Sequence, residues 1–133
     1  MWPFPIPDQT TQQKAYAAGL YARLGELTLL RKVEVSIGDW KPLAKDCHQN
    51  ATTLYLNRPE YSPVWGWLYF DFGGLLDHVR FIAHSAVRAP NGELWDITPT
   101  DVATRYPFLA AVESEDDYAA LTEGGVSELW HRK

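Results

Sequence analysis

Hydrophobic positions first recur along the chain at helical spacing. From Gln9 onward, Ala15, Ala18, Leu20, Tyr21, Leu24, Leu27 and Leu30 fall mostly three and four residues apart. That spacing predicts an amphipathic helix capped by Asp8 or Thr10, with Gly25 ending or weakening it. The period then changes to two. Val33, Val35 and Ile37 alternate with Lys32, Glu34 and Ser36, which predicts a half-buried strand over 31–37 closed by Gly38-Asp39. A second helix is expected over 46–57, stopped by Pro59. Its opening, Asp46-Cys47-His48-Gln49, matches a capping box with Asp46 in the cap position. Val64 to Phe72 is apolar on both faces, as in a central strand covered on both sides, and Gly73-Gly74 breaks it. Val79 to Arg88, the turn Pro90-Asn91-Gly92 and Glu93 to Thr98 then predict an antiparallel hairpin ended by Pro99. Short helices are expected over 100–106 and 114–121, the latter because Ser114 stands three residues before Asp117, and Gly124-Gly125 precedes a short C-terminal piece.

Helices followed by an antiparallel sheet with a helix packed on it make an α+β layout. At 133 residues the chain is long enough for one good core, and it shows no repeat or linker, so a single domain over 1–133 is expected. A hydrophobic fraction of 46% with 14% aromatics is globular and excludes the disordered class. The net charge of −5 provides no basic footprint for phosphates, so no nucleic-acid partner is expected. The longest strongly apolar run, Val64 to Phe70, is too short to cross a bilayer as a helix, and no membrane association is expected. Pro3, Pro5 and Pro7 stiffen an N-terminus that lacks the basic region and helix of a secretory signal. A single cysteine cannot form an internal disulfide. Cytoplasm is the expected compartment, although export by a machine that reads no cleavable signal would leave the same sequence.

That cysteine stands where chemistry is favoured. The thiolate is the nucleophile, so a catalytic cysteine needs a lowered pKa. At the first position of the second helix, Cys47 would meet unpaired N–H groups and the positive end of the helix dipole. The same N–H groups suit an oxyanion on an attacked carbonyl. His84 lies mid-strand in the hairpin. A three-residue turn at 90–92 sets Ala89 opposite Glu93 and His84 opposite Thr98, which makes Asp96 a diagonal neighbour of His84 on the same face. An acid there would hold the ring's tautomer and stabilise the imidazolium. A one-residue change of turn register would send Asp96 to the other face.

Each residue also has a plainer reading. A lone Cys can be a small buried hydrophobe, a strand His a hydrogen-bonded core residue, and an Asp before Ile-Thr-Pro a turn organiser. Asn50, one turn below Cys47, can hold a loop or orient substrate. Trp65, Trp67 and Trp95 are candidates for lining a substrate cleft, against the alternative of core or sheet surface. His48 raises the question of metal, but no CxxC or HxxxH spacing supports zinc and adjacent helical ligands diverge by about 100°. No metal is expected. The acidic run 113–117 reads as a solvated helix start, and neither Gly-Gly pair has a phosphate-loop spacing.

A cysteine opening a helix, a histidine on a strand and an acid on the next antiparallel strand together resemble the papain-like thiol superfamily. The Cys-His-Asp variant looks like transglutaminases and arylamine N-acetyltransferases. More narrowly, Asp46-Cys47-His48-Gln49-Asn50, Val64-Trp65-Gly66-Trp67-Leu68, Ala83-His84-Ser85-Ala86-Val87 and Asp96-Ile97-Thr98-Pro99 look like a family of small uncharacterised bacterial proteins. That pattern covers under half the chain and brings no established activity. The superfamily resemblance implies a papain-like α+β fold, an antiparallel sheet with the nucleophile helix packed against it. Papain-type enzymes place an oxyanion-hole Gln shortly before the cysteine; here that stretch reads Trp40-Lys41-Pro42-Leu43-Ala44-Lys45.

The expectation is therefore a cysteine acyl-transfer enzyme, a hydrolase or a transferase. Cys47 is the nucleophile, His84 the base and then the acid, and Asp96 the residue orienting His84. The substrate would be a peptide or a small amide or ester, and no cofactor is expected in a chain this small. The alternative is a non-enzymatic protein-binding module, an adaptor or immunity-type partner, on the same scaffold.

Overall fold

In the computed structural model, which describes residues 6–99, 106–122 and 128–133, the first helix starts where the sequence supplies a cap. The Gln13 amide donates to Thr10 Oγ1 (3.0 Å) and the Thr10 amide donates to Gln13 Oε1 (2.8 Å), a reciprocal box that opens α1 (Thr11–Tyr21). The helix ends at Tyr21, short of the expected extent to Leu30, and Gly25 falls in a separate 3-10 turn, Leu24–Glu26. Packing explains the break. Leu20 is buried with Trp67 and Phe81, whereas Leu30 belongs to a different cluster with Leu68 and Phe108. Leu68 and Trp67 are consecutive strand residues and so point to opposite faces of the sheet. The chain must therefore leave its helical path to round the sheet edge, where Thr28 bridges Phe108.

The sheet contains β1 (Arg31–Lys32), β2 (Ser62–Phe70), β3 (His78–Arg88), β4 (Leu94–Asp96), β5 (Phe108–Ala110) and β6 (Glu128–Arg132). Its order is β1-β4-β3-β2-β5, with β6 also paired to β3. The strand expected over 31–37 is reduced to Arg31–Lys32, because its parallel partner β4 stops at Asp96 and leaves the following residues no ladder to join. The central strand is as expected in kind: β2 lies between β3 and β5. Gly66 in its middle is required by close approach, since a Cβ there would fall 2.6 Å from the Phe108 ring. Two further helices, α2 (Cys47–Asn57) and α3 (Glu115–Thr122), match the predicted segments closely. The helix expected over 100–106 lies outside the described residues except for Tyr106, as does the Gly124-Gly125 break.

The three α-helices among the described residues pack on one face. Ala17 and Leu20 of α1 and Tyr118 of α3 join Trp67, Val79, Phe81 and Leu109, while Ala51 and Leu54 of α2 meet Val87 and Ile97. Val79, Phe81 and Val87 share the odd parity of β3, hence the same face. The molecule is thus an α+β fold with helices layered on a mixed, mainly antiparallel sheet. No helix among the described residues is long and apolar enough to cross a membrane. On the outer side of β6, the Gln9 side chain donates to the Trp130 carbonyl and accepts from its amide, both at 2.8 Å.

Candidate active site

The hairpin that carries His84 and Asp96 is set by its turn. Gly92, at φ +88°, closes the turn with its amide on the Ala89 carbonyl (2.9 Å), and the Ala89 amide reaches the Glu93 carbonyl (2.9 Å). Val87 then pairs with Trp95 and Arg88 with Leu94, the register expected from a three-residue turn. Carried two residues further, it sets Asp96 diagonal to His84. His84 Nε2 meets Asp96 Oδ1 at 3.2 Å, and the Thr98 amide donates to the same oxygen at 3.2 Å. Asp96 is wholly buried, and its Oδ2 has no hydrogen-bond partner among the described residues.

Cys47 opens α2 as expected, but Asp46 does not cap it: φ −117° and ψ 40° leave the Asp46 side chain without a cap hydrogen bond. A different side chain shapes the approach. Asn50 is buried, accepts from the Leu43 amide (3.0 Å), and donates to the Leu43 carbonyl (2.8 Å) and to Thr98 Oγ1 (2.9 Å). It thereby ties the loop before the cysteine to the end of β4. Lys45, within that loop, adopts φ +66°.

The helix that carries Cys47 meets the sheet at one edge of β3. Both β4, at Val87 and Arg88, and β6, from His78 to Ile82, pair with the edge opposite β2. The four residues 83–86 between them have no strand partner there among the described residues. Because the Ala89 amide points to this edge, the alternation of a strand aims the Ser85 amide the same way. That amide, the His48 amide and the His84 ring lie close enough to the Cys47 sulfur to act on it as donors and favour its charged form. With Nε2 engaged by Asp96, the nitrogen left for sulfur is Nδ1.

These contacts set the charges. Burial raises the Cys47 pKa, but the His84 hydrogen bond and charge and the two amides outweigh it, so the thiol is lowered from its ordinary value. Burial lowers the His84 pKa, yet Asp96 and Cys47 together raise it from 6.5 to about 9. Both shifts favour the thiolate–imidazolium pair over the neutral one.

The other expected site residues are placed differently. Asn50 turns inward with its side-chain amide engaged and holds the loop, the first of its two readings. Trp67 is fully buried in the core, where its Nε1 donates to Tyr16 Oη (3.3 Å), and cannot line a cleft. Trp65 is half-buried against the same core, and Trp95 packs beside Tyr61 with ring centroids 5.4 Å apart. The sequence reading did not single out Ser85 or give His48 this role. Ser85 Oγ and His48 Nδ1 share a hydrogen bond, and the His48 ring meets Tyr118 edge-on at 5.8 Å. Among the described residues no three His, Cys, Asp or Glu side chains converge as a metal site would need.

No protein-family model, no curated protein and no solved structure matches this chain.

Proposed function

We propose that the chain is a thiol-dependent acyl-transfer enzyme with Cys47, His84 and Asp96 as its reacting triad. One observation carries the reading: a single buried imidazole is engaged on both sides, by a buried carboxylate at Nε2 and by the only cysteine thiol at its other nitrogen. In the first step the Cys47 thiolate attacks a carbonyl carbon, and a C–S bond forms as the bond to the leaving group breaks. The His84 proton goes to the departing amine, alcohol or thiol. In the second step His84 takes a proton from the acceptor, water or an amine, which displaces the thiolate and frees the acyl product. Asp96 fixes the ring's orientation and favours its charged form. Amide N–H groups at the start of α2 are the available donors for the oxyanion.

The resemblance to papain-like thiol enzymes is supported by this order of elements and by the packing of the cysteine-bearing helix on the sheet. A peptide or small amide or ester is the proposed substrate, and the net charge of −5 argues against nucleic acid. The proposed compartment is the cytoplasm. Iodoacetamide titration tests the reading. Cys47 in the folded protein should alkylate with a midpoint clearly below that of an ordinary thiol, and His84→Ala should move that midpoint upward. A thiol that resists alkylation until the protein unfolds would overturn it and leave the protein-binding module.

A further inference from the structure

Two side chains beside the triad are engaged with each other in a way that the reaction just described does not use. Ser85 follows His84 on β3, so its side chain points to the helix-covered face while His84 points to the other. His48 follows Cys47 on α2. Their hydrogen bond, Ser85 Oγ to His48 Nδ1, therefore joins the residue after the base to the residue after the nucleophile across 37 positions of sequence. It lies at the β3 edge opposite β2, where residues 83–86 have no strand partner among the described residues. The His48 ring is backed by Tyr118, whose hydroxyl donates to the Gly66 carbonyl (2.7 Å) on the strand paired to His84.

We infer that the Ser85–His48 pair is a positioning latch that holds the first turn of α2 in the open stretch of the β3 edge, so that the Ser85 amide stays aimed at the Cys47 sulfur. This rests on the acyl-transfer reading and adds two positioning residues to it. The reason for a latch is geometric. A sulfur can accept from the Ser85 amide only if helix and strand keep their spacing, and no strand pairing among the described residues enforces it there. His48 suits the task because burial and the neighbouring imidazolium both keep it neutral. The other titratable groups facing this contact are Cys47, His84 and Tyr118, with Asp96 behind His84.

The test compares the wild type with Ser85→Ala, Ser85→Thr and His48→Asn. Two signals are read: the pH midpoint of Cys47 alkylation, and the ring-nitrogen NMR shifts of histidine-labelled protein. Ser85→Ala should shift the His48 ring signals and raise the alkylation midpoint, slowing alkylation at neutral pH by roughly three- to tenfold. Ser85→Thr, which keeps a hydroxyl, and His48→Asn, which keeps a polar atom near the Nδ1 position, should restore most of the wild-type midpoint. His48 signals unchanged in Ser85→Ala would overturn the contact. Changed signals with an unchanged midpoint would overturn its positioning role, as would equal impairment of Ser85→Ala and Ser85→Thr. A wild-type midpoint in the ordinary thiol range is a different failure: it removes the acyl-transfer reading itself, and the latch with it.

Discussion

At His84 two opposing pulls decide the charge. Burial favours the neutral ring; Asp96 and Cys47 favour the imidazolium and prevail, raising the pKa to about 9. Reactivity should therefore rise with pH as the lowered Cys47 thiol ionises, and acyl transfer should fall as His84 loses its proton near that value. Asp96→Asn separates the parts of this balance. An Asn keeps an oxygen for the His84 Nε2–H and the Thr98 amide, but removes the charge that helps retain the proton. The alkaline limb of a pH–rate profile, measured with an electrophilic acyl probe, should then move to lower pH, with partial activity remaining. Cys47→Ala and His84→Ala should each abolish labelling while the melting temperature moves little, since residues that act as a unit fail together. A His84→Ala protein labelled at the wild-type rate would sink the triad. The His84–Asp96 pairing and the place of Cys47 at the start of α2 were legible because a turn and a helix start, both local features, determine them. The Ser85–His48 contact was not, because it exists only once α2 has docked on β3.

The same distinction holds for helices and strands. The hairpin could be read from Asn91-Gly92 between two β-prone runs, and α2 from its length and the stop at Pro59. Periodicity misled at 9–30, where one apolar stripe covers two faces of the sheet, and at 31–37, where alternation was present but a partner strand was not. The final strand, Glu128–Arg132, has no alternation to reveal it, and it pairs with residues 78–82 far away in sequence. Gly66 shows how tightly β2 is fitted. Its missing side chain admits the Phe108 ring, which stands edge-on to His84 with centroids 6.4 Å apart. Gly66→Ala should cost about 1–3 kcal/mol through overpacking. The displaced ring should also press on the base, so a drop in Tm should come with slower Cys47 alkylation. A variant of wild-type stability would show that β5 has room to move.

Across the whole molecule, the helices cover one face of the sheet while His84 and Asp96 occupy strand positions of the opposite parity. Cys47 reaches them around an edge. This gives the discontinuity in β3 pairing a purpose that a continuous sheet would defeat: a strand seated along residues 83–86 would take the Ser85 amide from the sulfur. Among the described residues, β4 pairs with β3 only at Val87 and Arg88 and β6 only from His78 to Ile82, which leaves that stretch open.

Where β6 faces outward, a sheet could grow by recruiting another molecule. The Gln9 carboxamide occupies that edge at Trp130, offering one donor and one acceptor as a neighbouring chain would, while Glu128 and Arg132, paired with Arg80 and Asp77, stand on either side in β6. Gln9→Ala withdraws that mimic, and Gln9→Glu withdraws its donor. Both should raise concentration-dependent self-association in sedimentation velocity, whereas unchanged sedimentation would show that the flanking charges suffice alone. One uncharged amide, supplied just before the first helix, would then be this protein's guard against intermolecular β-pairing and loss of solubility.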